Sequence, residues 1–263
     1  MPFLSSLPTV DPQSVVDGAA LWNNGFKNYL INGDFGINQR AFAGGALAAG
    51  IYGFDRWKAG TGGCNISLSA GVLTHTSGPL VQVIEAPNLA GETITVSVDG
   101  LSGGSLDVNV EGVTGVIDAS ASRAGVTLTV PSTSTGNVTV TLTPASGAVT
   151  YKRVQVELGS VATAFEWRPT QIETALCERY YQSSYAAVYG FATGSGQYFG
   201  NFVSFNTSMQ SAPAIGISSS PQTTGAFSLT VDTPEISGLR YYVVSSAAVQ
   251  VATLSLWYAD AEL

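Results

Sequence analysis

The sequence predicts an all-β protein: a large β-sandwich, a short helix, and a smaller β block after the helix. Segments with the alternating period of strands recur through residues 28–168, with turn-forming residues between them. The period changes to that of a helix just after Pro169 and returns to that of strands beyond residue 185. Apolar residues make up 45 % of the chain, which is enough for a sizeable core.

Strand periodicity is clearest in the middle of the first block. Apolar residues alternate with polar ones in three successive triplets: Ile94, Val96 and Val98; Leu106, Val108 and Val110; Val138, Val140 and Leu142. Gly, Pro, Ser and Asn fill the gaps, as they do in turns between antiparallel strands. Because no helical pattern intervenes, many short strands at this spacing indicate two packed antiparallel sheets.

The helix that follows is predicted from its start signal. Thr170 and Glu173 have the spacing of a capping box directly after Pro169. An apolar stripe then continues at helical spacing through Ile172, Leu176 and Tyr180. We therefore expect a hinge helix between the two β blocks.

Three separated segments carry a resemblance to a known family. They are NYLINGDFGINQR (residues 28–40), YGFDRW (residues 52–57), and QVELGSVATAFEWRP with the following ALCERYYQ (residues 155–182). In this order they resemble the start, a landmark and the exit of a carbohydrate-binding-module-like jelly-roll domain found in bacteriophage tail-fibre and fibre-like virion proteins. The terminal LWYADAEL also resembles the end of phage fibre chains. The resemblance implies a jelly-roll sandwich.

These signals divide the chain into four parts. We expect an N-terminal attachment arm at residues 1–27, the jelly-roll sandwich at 28–168, the hinge helix at 169–185 and a C-terminal β domain at 186–263. Within the arm, residues 11–22 form a candidate short helix with Asp11 as its cap. The arm either packs on its own domain or serves attachment or trimer formation.

The resemblance also implies a function. It implies a phage virion protein, a tail-fibre or receptor-binding subunit that contacts a glycan of the host cell surface as a homotrimer and is assembled in the host cytoplasm. The arm would attach the subunit to other virion proteins. A head fibre, decoration or tail-connector protein with a purely structural role is the alternative. Only 11 % of residues are charged, which indicates either surfaces buried between subunits or a hydroxyl-rich surface, and the resemblance favours the first.

Charge and hydropathy exclude other classes of partner. The formal charge is −8, from 18 acidic and 10 basic residues, and no basic cluster is present, so nucleic-acid binding is not expected. No apolar run reaches the roughly 18 residues of a membrane span, and the N-terminus lacks the pattern of a signal peptide. We expect no membrane insertion.

The sequence predicts no catalytic residue and no cofactor. His75 is the only histidine, and its alternating surroundings predict a solvent-facing strand position. The glycine-rich residues 194–200, GSGQYFG, are interpreted as a β-turn because no helix follows them. A glycosidase needs only a pair of carboxylates. The sequence places no two of its candidates across a cleft: Asp34, Asp55, Asp99, Asp107, Glu111 and Asp118.

Structural roles are expected for most of the motif residues. Asp34 is expected to fix a turn, with a calcium site as the alternative, although Gly36 stands where related sandwiches often have an acidic ligand. Asp55 and Arg56 are expected to form an ion pair beside a core aromatic. Trp57 and Trp167 are assigned to the jelly-roll core, and Cys64 and Cys177 are interpreted as buried or half-buried thiols. No metal site is predicted.

Aromatic residues of the C-terminal block are the candidate receptor-binding residues. They are Tyr189, Tyr198, Phe199, Tyr241 and Tyr242, which lie near Gly, Ser, Asn or Gln. Aromatic rings beside hydrogen-bonding groups match the apolar CH faces and the hydroxyls of a sugar. The alternative is that these rings fill the core and the subunit interfaces. Host contact is therefore expected in the C-terminal block and not in the landmark segments.

Overall fold

A computed structural model of the chain describes residues 25–217, 222–224, 227–232 and 234–263. It is an all-β protein with a jelly-roll sandwich, a short helix and a smaller C-terminal β domain, which confirms the predicted fold class. Most of the expected attachment arm, including its candidate helix at residues 11–22, lies outside these ranges. Within them, no helix has the length and hydropathy needed to cross a membrane.

The first sandwich packs a six-stranded sheet, in the order β1-β3-β4-β11-β6-β9, on a five-stranded sheet, in the order β2-β5-β10-β7-β8. In chain order the strands are β1 (Gly45–Leu47), β2 (Lys58–Ala59), β3 (Cys64–Ser69), β4 (Val72–Ser77), β5 (Leu80–Ile84), β6 (Thr93–Ser102), β7 (Leu106–Val110), β8 (Val113–Ile117), β9 (Ser120–Thr129), β10 (Val138–Pro144) and β11 (Val149–Leu158). The named pairings between them are antiparallel.

The core of this sandwich follows from the alternation in the sequence. The apolar triplets of β6, β7 and β10 all point between the two sheets and are buried. Trp57 lies in this core as predicted, 5.2 Å from the Phe35 ring, and its indole N–H donates to the Asn32 carbonyl at 2.9 Å. That bond satisfies the polar end of a buried tryptophan.

The outer face of the six-stranded sheet is covered by residues 159–168, here called the exit segment. Gln155 and Glu157 on β11 point outward from the core yet are buried beneath it. The Glu166 amide donates to Gln155 at 2.8 Å, and the Thr163 amide donates to Glu157 at 2.9 Å. Burial alone would raise the pKa of Glu157, but its hydrogen bonds from Thr163 and Gln155 lower it. The prediction that Trp167 belongs to the core is wrong, because the exit segment lies outside the sheet and leaves this ring 60 % exposed.

The helix α1 (Thr170–Glu178) begins where the sequence predicts, but without a capping box. Pro169 is the N-cap residue and no side chain caps the helix. Glu173 instead accepts hydrogen bonds from the Asn32 amide and from Arg168, which tie the helix to the first sandwich. Residues 181–185, expected in the hinge helix, belong to the next strand.

The C-terminal β domain also packs two sheets, one in the order β12-β18-β14 with β15 added on β18, and the other in the order β13-β17-β16. Its strands are β12 (Tyr181–Ala192), β13 (Tyr198–Ser204), β14 (Ala214–Ile217), β15 (Gln222–Thr224), β16 (Phe227–Val231), β17 (Gly238–Ser245) and β18 (Val249–Asp260). Strands β12 and β18 pair from Tyr181↔Asp260 to Ala192↔Val249. The predicted turn at residues 194–200 connects β12 to β13 and runs into β13 at Tyr198.

The end of the chain returns to the first sandwich and forms a buried cluster of charges, here called the junction. Arg56 pairs with Glu262, and both side chains are at most 2 % exposed. Arg40 lies among three carboxylates, 3.5 Å from Asp55, 3.3 Å from Asp260 and 3.4 Å from Glu262. The expected ion pair between Asp55 and Arg56 is therefore wrong. The two neighbours have different partners, and the partner of Arg56 comes from the other end of the chain.

Further contacts extend the junction to both sides. The Arg40 guanidinium lies 3.7 Å from the centre of the Tyr181 ring, and the Arg56 guanidinium 3.4 Å from that of Tyr180. The Arg179 guanidinium and the Tyr180 hydroxyl both donate to Glu85, at 2.8 and 2.6 Å. Cation–π contacts and ion pairs between desolvated groups are stronger than their exposed counterparts. The two sandwiches are therefore held together through polar contacts whose centre, the Arg56–Glu262 pair, is fully buried.

We expect Glu262→Ala to lower the free energy of unfolding by about 3–5 kcal/mol, because it leaves the Arg56 charge buried without a carboxylate. Urea denaturation followed by tryptophan fluorescence measures the loss. The control is Asp107→Ala, an exposed carboxylate on the outer face of β7, which should change stability by no more than about 0.5 kcal/mol. Equal losses in the two variants would show that the junction contributes nothing to stability.

His75 is buried and not solvent-facing, so that prediction is also wrong. On β4, Leu73 and His75 share the inward side while Thr74 points the other way. The Gly78 carbonyl, 2.7 Å from Nε2, can only accept, so Nε2 carries the proton and Nδ1 accepts from the Tyr151 hydroxyl at 3.0 Å. Burial lowers the pKa of His75 to about 4.

Because His75 is buried as a neutral imidazole, the free energy of unfolding falls as the pH is lowered. The folded protein keeps His75 neutral down to about pH 4, whereas the unfolded chain binds a proton below the ordinary pKa of 6.5. We expect this group to remove about 2 kcal/mol of stability as the pH falls from 6.5 to 5. Urea denaturation at a series of pH values measures it, with His75→Gln as the variant that cannot titrate. Parallel stability curves for the two proteins would contradict the assignment.

Candidate functional site

An aromatic groove lies on the outer face of the sheet that contains β13 and β17. It is open, has a volume of about 370 Å³, and is lined by Tyr198, Gly200, Asn201, Phe202, Arg240 and Tyr242. We call it the β13–β17 groove. Because side chains alternate along a strand, Tyr198, Gly200 and Phe202 point to the same side of β13. Arg240 and Tyr242 do the same on β17.

The register of the two strands determines the shape of the groove. Gly200 is opposite Tyr242, and Phe202 is opposite Arg240. A Cβ atom at Gly200 would lie 2.6 Å from the Cβ of Tyr242, which is closer than real side chains approach. Glycine therefore forms the floor of the groove, and the rings of Tyr198 and Phe202 stand on either side of it.

Rings and charges in the groove are close enough to act on one ligand. The ring centres of Tyr198 and Tyr242 are 5.7 Å apart, with an angle of 43° between their planes. The Arg240 guanidinium lies 5.4 Å from the Tyr242 ring centre and pairs with Asp232 at 2.5 Å. The groove thus offers exposed ring faces, phenolic hydroxyls and the Arg240 guanidinium.

The predicted receptor-binding residues are divided among three places. Tyr198 and Tyr242 lie together in the groove. Phe199 points to the inner side of β13 and is half-buried, and Tyr189 is exposed on the other sheet. Tyr241, expected at the receptor surface, is instead fully buried, and its hydroxyl donates to Ser255 at 2.9 Å.

Sequence reasoning missed four residues of the groove, which are Gly200, Asn201, Phe202 and Arg240. The signal was present, because a period of two starting from Tyr198 selects Gly200 and Phe202. The same period counted from Phe199 selects the inward side, and the sequence does not say which side faces solvent.

A second exposed surface covers the outer side of β12 and β18. Tyr185, Tyr189 and Phe191 stand on the same side of β12 and are between 61 and 71 % exposed. Their neighbours on β18 are Leu256, Ala252 and Gln250, and Tyr258 continues the row. We call this surface the β12–β18 face. No charged residue occupies the outward positions of these two strands between Tyr185 and Phe191 or between Gln250 and Tyr258.

Carboxylates and metal ligands are dispersed across the first sandwich. Asp34 accepts from the Gly36 amide at 3.1 Å, as expected for a turn. Asp99 pairs with Arg123 and Arg153, and Glu111 accepts from the Thr139 amide at 2.6 Å. In the part of the chain that the structure describes, no three His, Cys, Asp or Glu side chains converge as metal ligands.

The two cysteines are buried as predicted. Burial raises the pKa of Cys64 to about 11 and that of Cys177 well above its ordinary value. Both are therefore thiols at neutral pH, and neither is an activated nucleophile.

No family model matches the chain. No curated protein matches it either. Among solved structures, one described as "CBM4 structure and function" is 17 % identical with a TM-score of 0.31, and the match covers 49 % of this chain and 98 % of that one. Wild-type discoidin II from Dictyostelium discoideum is 13 % identical with a TM-score of 0.27, covering 87 % of this chain and 92 % of that one. The native structure of recombinant discoidin II from the same organism is 12 % identical with a TM-score of 0.26, and the match covers 86 % of this chain and 93 % of that one. Similarities this remote carry no conclusion about function.

Proposed function

We propose that this protein is a saccharide-binding virion subunit of the tail-fibre kind, and that the β13–β17 groove contacts a glycan of the host cell surface. The virion assignment is based on the three motif segments of the sequence. The binding assignment is based on one observation, which is that exposed rings surround a glycine floor on a rigid sheet. We propose a binding role without catalysis or a cofactor.

The chemistry of the groove suits a sugar. The CH faces of a pyranose pack against aromatic rings, and its hydroxyls need donors and acceptors beside those rings. Tyr198 and Phe202 would provide the ring faces, and Tyr242 the inner wall. The Arg240 guanidinium offers donors to the sugar hydroxyls, and the phenolic oxygens of Tyr198 and Tyr242 offer acceptors. Because these residues are on paired strands, little conformational entropy is lost on binding.

We further propose that the subunit is a homotrimer and that the β12–β18 face is where its copies meet. Tyr185, Tyr189 and Phe191 form an uncharged apolar strip along β12. Soluble proteins protect such strands with charges or cover them with a partner. Tyr189 would then belong to a subunit interface and not to the receptor site. The attachment arm would join the trimer to other virion proteins, with no nucleic acid or membrane involved.

A purely structural role, as a head fibre, decoration or tail-connector protein, is the second candidate function. The β12–β18 face favours it, because an apolar strip without charges suits assembly better than reversible contact with a polar receptor. Antibody labelling of virions separates the two roles, since label at the tail tip supports the first and label on the capsid supports the second.

We expect Tyr198→Ala and Tyr242→Ala each to weaken glycan binding at least about tenfold, because each removes a ring from the groove. A glycan array with the purified full chain identifies the ligands, and titration of the best ligand measures the loss. The control is Ile51→Ala, which removes an exposed apolar side chain from the first sandwich. Unchanged glycan profiles in the folded Tyr198 and Tyr242 variants would exclude the groove.

We expect the wild-type protein to sediment as a trimer and Tyr189→Ser combined with Phe191→Ser to shift it towards the monomer. Tyr189 and Phe191 are two of the three exposed rings that β12 contributes to the proposed contact, so the double variant removes a large part of its apolar area. Analytical ultracentrifugation at micromolar concentration gives the mass. Tyr198→Ser is the matched control, since Tyr198 and Tyr189 are 71 and 70 % exposed but lie on different sheets. A wild-type monomer, or an equal shift in the control, would contradict the assignment of this face.

A further inference from the structure

We propose a second saccharide site on the first sandwich, separate from the β13–β17 groove, that holds one neutral pyranose unit. It lies between the Asp34 turn and the exit segment at Trp167, and we call it the Trp167 cleft. The proposal rests on an exposed indole ring, held in one position, beside a cleft in which the Asp34 carboxylate can accept further hydrogen bonds. It does not depend on the function of the groove.

The indole of Trp167 is exposed but held in place. The Arg153 guanidinium lies 4.6 Å from its ring centre, and the Phe165 ring lies 5.2 Å away at 87°. After both contacts the residue remains 60 % exposed. A large aromatic side chain that is both exposed and restrained is a preformed stacking surface, because binding costs it little rotamer freedom.

Arg153 reaches this ring through an irregularity in β11. The register of β11 with β6 shifts between Lys152 and Gln155, and Arg153 has a φ of 57°. Bulges of this kind redirect a side chain, and a left-handed conformation is costly for a residue with a Cβ. Arg153 also pairs with Asp99 at 3.4 Å, so its position is fixed at both ends. The strained backbone at Arg153 thus places its guanidinium against one face of the indole.

The cleft beside the indole has the size of a single sugar ring. Its volume is about 150 Å³, and Phe165 and Trp167 form one wall while the turn at Asp34 forms the other. Gly36 leaves the Asp34 carboxylate uncrowded, since a Cβ atom there would lie 3.2 Å from its oxygen. One pyranose could therefore stack on the indole and reach the turn with its hydroxyls.

The polar groups of the cleft select a neutral sugar. One Asp34 oxygen accepts from the Gly36 amide at 3.1 Å, which leaves the carboxylate further capacity to accept from sugar hydroxyls. Asp34, Glu166 and Glu173 line the cleft with a single guanidinium, that of Arg168, which already pairs with both glutamates. The excess of carboxylates disfavours an acidic sugar by like-charge repulsion.

The test uses the full chain with Tyr198→Ala, which weakens binding at the groove. The probes are the methyl glycosides of glucose, galactose, mannose and N-acetylglucosamine, with methyl glucuronide as the acidic comparison. Saturation-transfer NMR detects binding, and titration gives the affinity. We expect at least one neutral probe to bind, methyl glucuronide to bind more weakly, and Trp167→Ala to weaken the neutral probe at least about tenfold.

Further variants distinguish this site from a local folding defect. Trp167→Phe keeps a ring and should lose less affinity than Trp167→Ala. Asp34→Asn keeps an acceptor for the Gly36 amide but removes the charge, and it should weaken binding several-fold. The matched control Asp107→Asn, on the exposed side of β7, should have no effect. Thermal denaturation confirms that each variant is folded.

Three outcomes would overturn the proposal. The first is that no neutral probe binds the Tyr198→Ala chain, although the wild type binds it, in which case all binding belongs to the groove. The second is that no neutral probe binds either protein. The third is equal affinity in the parent, Trp167→Ala and Asp34→Asn chains. Loss of groove binding on the glycan array leaves this site unaffected, so the two proposals fail separately.

Discussion

The buried ion pair of Arg56 with Glu262 joins residues that are 206 positions apart in the chain, and the placement of the C-terminal domain depends on it. Neither charge is tolerated in this position without the other, since an unpaired buried ion is strongly unfavourable. Arg40 extends the same cluster to Asp55 and Asp260. The two sandwiches are therefore coupled by electrostatics around one fully buried ion pair.

Most of the strands could be predicted from the sequence, and the covering of their outer faces could not. Alternation shows which residues of a strand share a side, so the core triplets of β6, β7 and β10 were predictable. It does not show which segment returns to cover the other side. The exit segment covers Gln155 and Glu157, and this explains why Trp167 is exposed. The prediction for His75 is wrong for the same reason. Alternation places Leu73 and His75 on one side of β4, but it does not show that this side faces the core.

About as much of the β13–β17 groove could be predicted from the sequence. Residues 198 and 242 were selected by composition and meet in one groove, whereas their neighbours at 199 and 241 point the opposite way. Adjacent aromatics on a strand cannot share a face, so a pair such as Tyr241 and Tyr242 always contains one buried and one outward ring when one side is core. Sequence composition finds such pairs, and only the register of the sheet separates their members.

The junction also bears on how such a protein could exchange its domains with others. A graft of residues 181–263 onto a different sandwich would bring Glu262 and Asp260 but leave behind the arginines at positions 40 and 56 that neutralise them. The graft would place a carboxylate against an apolar or mismatched surface, which is a barrier to recombination at the helix between the two sandwiches. Viable hybrids would have to inherit the first and second motif segments together with residues 181–263, so the heritable unit is larger than the domain that carries the groove.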